Sequence, residues 1–263
     1  MTIAERLYSL ANWLDDCLSS EDYDRQAAAE SAVVQLREVA ALAATGPRIY
    51  THPGVLTVGI ADGWAEPETD PTRIDWRSRQ AAAAIPFQVI GGRPVNPYGG
   101  TGIRYGRNEM GRWGENLMAD ALVTVTHEGH RYLLMVERAD GYGWAVPGGS
   151  VEPGETADQA AARELEEETG LTVSPSLRRA GEPVYVPDPR ASAEAWAVTV
   201  PVVIDLGCQD ALPRLEAGDD ARRAAWIPVG SYRELVTSLD RDYAGQVFAA
   251  HVGMLKQFVG GAS

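Results

Sequence analysis

Among the glutamates of RELEEETGL, Glu164, Glu167 and Glu168 fall at positions i, i+3 and i+4. On a helix turning 100° per residue such positions share a face about 100° wide, so three carboxylates crowd together. Like charges that close repel, and they sit stably together only with a cation between them. A ligand set made of oxygens alone suits hard Mg²⁺ or Mn²⁺ rather than Zn²⁺. Arg163 and Glu155 can brace this face with a charge-assisted hydrogen bond before any metal arrives. A solvated acidic helix face is the commoner meaning of such a run. Two features favour the metal here: the glycine-rich approach GGSVEPGE, and the apolar Leu165 and Leu171 set among the acids. A site of this kind suits hydrolysis of a phosphoryl bond, which needs charge neutralisation, an aligned water and a base.

The flanking sequence must position that helix. Thr156, Ala157, Asp158 and Gln159 have the form of a capping box, Ala160 to Glu168 is rich in helix formers, and Gly170 is a stop. Upstream, ALVTVTHEG and RYLLMVER are two β-rich runs around a His-Glu-Gly-His turn, in which His127 and His130 read as solvated turn residues. Downstream, VYVPDP, AWAVTVPVVIDLG and AAWIPV have strand character, and Gly245 to Phe258 has the pattern of a closing amphipathic helix. At the other end, Ile3, Leu7, Leu10, Leu14 and Leu18, then Ala29, Val33, Leu36, Ala40 and Ala43, form two helical stripes. The spacing predicts a helical hairpin over residues 1–46, a packing element or a homodimerisation surface. Residues 47–118, rich in Pro and Gly with apolar runs such as VLTVGIA, read as an irregular β-containing region, and residues 119–263 as the catalytic domain.

The 263 residues, 45% hydrophobic and 23% charged, are ordinary for a folded protein. A net charge of −14 and a pI near 4.7 oppose any broad attraction to nucleic acid or anionic lipid. A small anionic substrate stays compatible, since a metal and a few Arg residues can reverse the field within one cleft. No stretch approaches the roughly 20 apolar residues of a membrane span. Cys17 and Cys208 read as unpaired thiols of a reducing compartment, so a cytoplasmic protein is expected.

From Gly149 onward the chain resembles the Nudix hydrolases. The residues that carry the resemblance are Gly149, Glu155, Arg163, Glu164, the apolar Leu165, Glu167, Glu168, Gly170 and the apolar Leu171, nine constrained positions at fixed spacing. The resemblance implies an α/β fold, a Nudix-type α/β/α sandwich with a mixed β-sheet, here preceded by the hairpin. It also implies a metal contact from the backbone carbonyl of Gly148, and a general base among Glu164, Glu216, Asp219 and Asp220.

GGRPVNPYGGTGI, GRWGENLMADALV, VPDPRASAEAW and AGDDARRAAW are in turn similar, in order and flavour, to the ADP-ribose pyrophosphatases related to the ligand-binding domain of an ADP-ribose-gated cation channel. On that resemblance Asp188 and Arg190 contact the ligand, the Arg being suited to bidentate phosphate binding. His251 then lies near the terminal ribose, and Arg112 and Asn116 line the cleft. Phe248 and Ala250 depart from the family, which expects a tyrosine and a small polar residue there. Trp113, Trp144 and Trp196 could stack on an adenine, though each reads more simply as core.

The expectation is therefore Mg²⁺- or Mn²⁺-dependent hydrolysis of ADP-ribose to AMP and ribose 5-phosphate. The alternatives are the same chemistry on another nucleoside diphosphate derivative, a nucleotide sugar or a dinucleotide, and a sensor that binds ADP-ribose without cleaving it. A Nudix-based transcription regulator would need a basic helix-turn-helix module, which neither end offers.

Overall fold

The computed structural model describes residues 48–99 and 102–260. The hairpin expected over residues 1–46, Cys17 and the dimerisation read from the hairpin lie outside the described residues. The chain divides into two compact units, one running to Glu115 and including Arg190–Trp196, the other comprising Asn116–Pro189 and the residues from Ala197 onward.

The first unit holds β1 (Arg48–Thr51), the single-turn helices α1 (Pro53–Leu56) and α2 (Val58–Ala61), α3 (Trp76–Ala82), β2 (Gln88–Ile90), β3 (Arg93–Val95) and β4 (Ile103–Asn108). β1 pairs parallel with β4, and β2 antiparallel with β3. VLTVGIA, expected to suit an irregular strand, instead forms the turns of α1 and α2. The reason is local. Pro53 presets a helical φ at the first position, and His52 Nδ1 accepts the Gly54 N–H at 3.1 Å, so capping outweighs the β preference of Val and Ile. Trp76 anchors the unit, its indole N–H donating to the carbonyls of Pro71 and Gly92, each at 2.8 Å.

The large sheet is built from β5 (Gly114–His127), β6 (His130–Arg138), β7 (Trp144–Ala145), β8 (Gly148–Ser150), β9 (Arg178–Ala180), β10 (Val184–Val186), β11 (Ala195–Cys208) and β12 (Ala221–Pro228). With it go the helices α4 (Ala157–Thr169), α5 (Tyr232–Tyr243) and α6 (Val252–Gly260). The strand order is β10-β11-β5-β6-β12, with β7 on β6, β8 on β5 and β9 on β11. β5 and β6 form the expected hairpin, closed at His127 and His130, with Glu128 and Gly129 both at positive φ (49° and 77°) as a two-residue turn between right-twisted strands requires. Thr124 faces Asp205, and the Gln209 N–H donates to the Thr126 carbonyl at 2.9 Å. β5 and β11 therefore run parallel, and the sheet is mixed.

Alternation along the strands gives the sheet two buried faces. Ala119, Ala121 and Val123 of β5 with Leu134 and Val136 of β6 pack against Ala160, Ala161 and Leu165 of α4. Leu122, Leu133 and Met135 point the other way, against Leu235 and Leu239 of α5 and Leu255 and Val259 of α6. This is the expected α/β/α sandwich. The closing helix begins at Val252 and not at Gly245, because the preceding residues pair with β7: Trp144 N–H donates to the Gln246 carbonyl and Phe248 N–H to the Trp144 carbonyl, both at 2.7 Å.

Candidate active site

Helix α4 begins where the capping residues place it. Gln159 Oε1 accepts the Thr156 N–H at 2.9 Å, and Gly170 ends the helix at φ 68° with its N–H on the Glu166 carbonyl. Leu165, wholly buried, seats the helix on the sheet. That seating fixes the rotation of α4, and with it the directions of the glutamates on either side of Leu165.

Arg163 is the hub of the helix's first half. Its Nε and Nη2 each meet Glu155 at 3.1 Å, the second Glu155 oxygen also accepting the Glu152 N–H; Nη1 meets Glu164 at 2.7 Å and Glu167 at 3.0 Å, and Nη2 donates to the Ser150 carbonyl at 3.0 Å. The hydrogen bonds from Arg163 hold the Glu155 carboxyl below its ordinary range, and the Arg163 guanidinium is in turn raised. The expected brace between Arg163 and Glu155 is thus present, and it also ties α4 to β8.

Glu168 is in a different situation. It is 4% exposed, accepts the Gly148 N–H at 3.1 Å and is hydrogen-bonded to Asp220. Burial, then the Asp220 hydrogen bond and charge, push its carboxyl up to about 10. Burial raises Glu164 as well, against the pull of Arg163 and with the charges of Glu167 and Asp220 adding to the rise. Two glycines make room for this crowd: a Cβ at Gly149 would collide with the Glu164 carboxylate, and one at Gly148 with the Asp120 carboxylate.

Of the carboxylates expected to compete for the role of base, the fold brings Asp220 to Glu168 and Glu164. The loop before β12 is laid along the end of α4, with Glu216 N–H on the Thr169 carbonyl at 2.9 Å and Gly218 N–H on the Glu168 carbonyl at 3.1 Å. The Glu216 side chain is exposed and paired with Arg214 at 2.7 Å. Glu167 is half exposed and turned to Arg163. Among the described residues, no three His, Cys, Asp or Glu side chains converge in ready-made ligand geometry. The donor set nevertheless fits a hard divalent ion. Glu168 and Asp220 are two carboxylates in contact, one of them deeply buried, and Glu168 has one backbone N–H donor, from Gly148. A hard cation would offset the charge of such a pair.

The substrate-binding residues expected from the sequence divide between the units. Arg112, exposed, and Arg190 belong to the first; Asn116, Asp188 and His251, at 7%, 3% and 6% exposure, belong to the second. Trp113, Trp144 and Trp196 are all buried as core residues. One residue was passed over: Asp120, 5% exposed on β5 opposite Gly148 in the strand register, and 3.7 Å from His251 Nε2. An acid within the apolar run LMADALV was the available signal, since a buried strand does not take a carboxylate without a partner.

The NUDIX domain family model matches residues 116–246. A putative nudix hydrolase 6 of Caenorhabditis elegans is 35% identical over 215 residues, 73% of this chain and 79% of that protein. By these matches the chain belongs to the Nudix family of pyrophosphohydrolases. The mitochondrial ADP-ribose pyrophosphatase of Rattus norvegicus is 29% identical over 232 residues, 73% of this chain and 65% of that enzyme. The transient receptor potential cation channel subfamily M member-like 2 of Nematostella vectensis is 32% identical over 200 residues, 65% of this chain and 12% of the channel.

Proposed function

We propose that this protein hydrolyses the pyrophosphate bond of ADP-ribose, releasing AMP and ribose 5-phosphate, with Mg²⁺ or Mn²⁺ held by Glu164, Glu167, Glu168 and the Gly148 carbonyl. The observation that carries the chemistry is the crowding of Glu164, Glu168 and Asp220 around the Gly148–Gly149 strand. The choice of ADP-ribose is supported by the similarity to the rat ADP-ribose pyrophosphatase. When bound, the metal neutralises charge on the diphosphate and acidifies the attacking water.

The chain's own residues do the rest. Arg163 holds Glu155, Glu164 and Glu167 in fixed positions, so that little reorganisation is left for the moment of binding. Asp220 or Glu164 takes the proton of the attacking water as its oxygen forms the new P–O bond and the bridging oxygen leaves with the other phosphate. Asp188 and Asn116, both in the second unit, are substrate contacts in this reading on the strength of the resemblance.

A panel of ADP-ribose, nucleotide sugars and dinucleotides with Mg²⁺ or Mn²⁺ tests it. The expected result is the highest kcat/KM on ADP-ribose, with AMP as product. Highest turnover on another nucleoside diphosphate derivative would replace the substrate and leave the chemistry; tight ADP-ribose binding in calorimetry without any product would make the protein a sensor.

A further inference from the structure

His251 was expected near the terminal ribose, yet its ring is turned inside the protein, with Nδ1 hydrogen-bonded and Nε2 on the side of Asp120. Nδ1 accepts the Val146 N–H at 3.3 Å, and Nε2 faces Asp120 Oδ1 at 3.7 Å. An imidazole that accepts at Nδ1 can carry its proton only on Nε2, the nitrogen nearer Asp120. Both residues are buried, at 6% and 5% exposure. The imidazole is held in place from its own side as well: His251 N–H donates to the Phe248 carbonyl at 2.9 Å, and the two rings lie 5.2 Å apart.

The segment between these contacts leads directly into the acidic site. Val146 precedes Pro147 and Gly148 in the chain; Ala121 N–H donates to the Pro147 carbonyl at 2.7 Å, and Gly148 sits opposite Asp120 with its N–H on Glu168. A Cβ at Gly148 would collide with Asp120, so the backbone is pressed against that carboxylate on one side while the Gly148 N–H is tied to Glu168. His251 pins Val146, Asp120 backs Gly148, and each faces the other. We infer that Asp120 and His251 are a positioning pair that fixes the Val146–Gly149 backbone, and through it the Gly148 carbonyl, for metal binding. His251 is then a positioning residue and makes no ribose contact. The inference rests on the metal site proposed above and is independent of the choice of ADP-ribose.

The test uses the whole chain and Mn²⁺ alone, titrated by electron paramagnetic resonance without substrate, beside steady-state kinetics. His251→Ala and Asp120→Asn are each expected to weaken Mn²⁺ binding about 10-fold, the lower end for residues that orient a metal's ligands. The double variant should be little worse than either single one, because both act through one strand. His251→Asn keeps an acceptor for the Val146 N–H in the place of Nδ1 and should recover part of the affinity. Long-range ¹H–¹⁵N spectra of the imidazoles, tractable with only 4 histidines in the chain, should report the Nε2–H tautomer for His251. Unchanged Mn²⁺ binding together with a raised KM in His251→Ala would overturn the inference and restore the ribose contact. Additive losses in the double variant, or a wild-type Nδ1–H tautomer, would overturn it too. Glu168→Gln serves as the control: if it leaves Mn²⁺ binding intact, the metal site itself is wrong.

Discussion

Two buried glutamates, one in each unit, have opposite surroundings. Glu194, 1% exposed, receives Arg93 at 2.5 Å on one oxygen and the Gly106 N–H at 2.8 Å on the other. Around it the carbonyls of residues 190 to 194 all accept hydrogen bonds, in order from Glu109 N, Asn108 Nδ2, Asn96 Nδ2, Asn96 N and Gly114 N. Glu168, 4% exposed, has one backbone N–H and a second carboxylate, Asp220. Burial costs both acids their hydration. In the first unit a cation and a backbone donor offset that cost, and the acid holds a loop in place. In the second, burial and Asp220 instead push the Glu168 carboxyl up to about 10, the perturbation expected of an acid placed for function and not for structure.

The largest effect expected from this contrast is on activity. Glu168→Gln should lower kcat by about a thousand-fold or more, as loss of a group that holds the metal implies, while the metal-free melting temperature does not fall. A marked drop in melting temperature with activity retained would make Glu168 a structural acid like Glu194. Next, Leu165→Ala should cost about 2–5 kcal/mol in urea unfolding, since a wholly buried leucine seats α4; a loss below that range would mean that the acidic face is held by Arg163 and not by the core.

Glu194→Gln should be the mirror image of Glu168→Gln. It keeps an acceptor for the Gly106 N–H but loses the Arg93 pair, and a destabilisation of about 2 kcal/mol is expected, below the figure for fully buried pairs because the Arg93 side chain is 37% exposed. The amplitude of Mn²⁺ binding should not change. Arg163→Lys, which keeps the charge and loses the fork to Glu155, should reduce kcat about 10-fold; equal activity would show that charge alone suffices.

The smallest effect concerns acid. Arg163 holds Glu155 below the usual glutamate range, so the contribution of Glu155 to stability is present above its ordinary value and is lost as pH falls through the lowered folded-state value. Glu155→Gln should therefore flatten the acid limb of the stability profile and leave the neutral region alone. An unchanged acid limb would place the acid sensitivity elsewhere.

Much of the second unit was legible because its signals are local. The capping residues, Gly170 and the alternating strands each act within a few residues, so α4 and the β5–β6 hairpin form where the spacing places them. The face shared by Glu164, Glu167 and Glu168 follows from helix geometry. Its internal division does not, for the partner that makes Glu168 unlike Glu167 is Asp220, more than fifty residues away. Likewise Gly245 to Phe258 carries a helical pattern throughout, but pairing with Trp144 claims the first residues. The run VLTVGIA went the other way, where His52 and Pro53 started a helical turn that composition had obscured.

The sequence by itself determined the family and the acidic face of α4, since nine spaced positions and three carboxylates at i, i+3 and i+4 depend only on residue type and helical period. Only the tertiary structure decided that the carboxylate of Asp220 and not that of Glu216 meets Glu168, and that His251 turns inward to Asp120 and Val146. Those outcomes depend on burial and on contacts between distant strands, and neither has a signature in the spacing of neighbours along the chain.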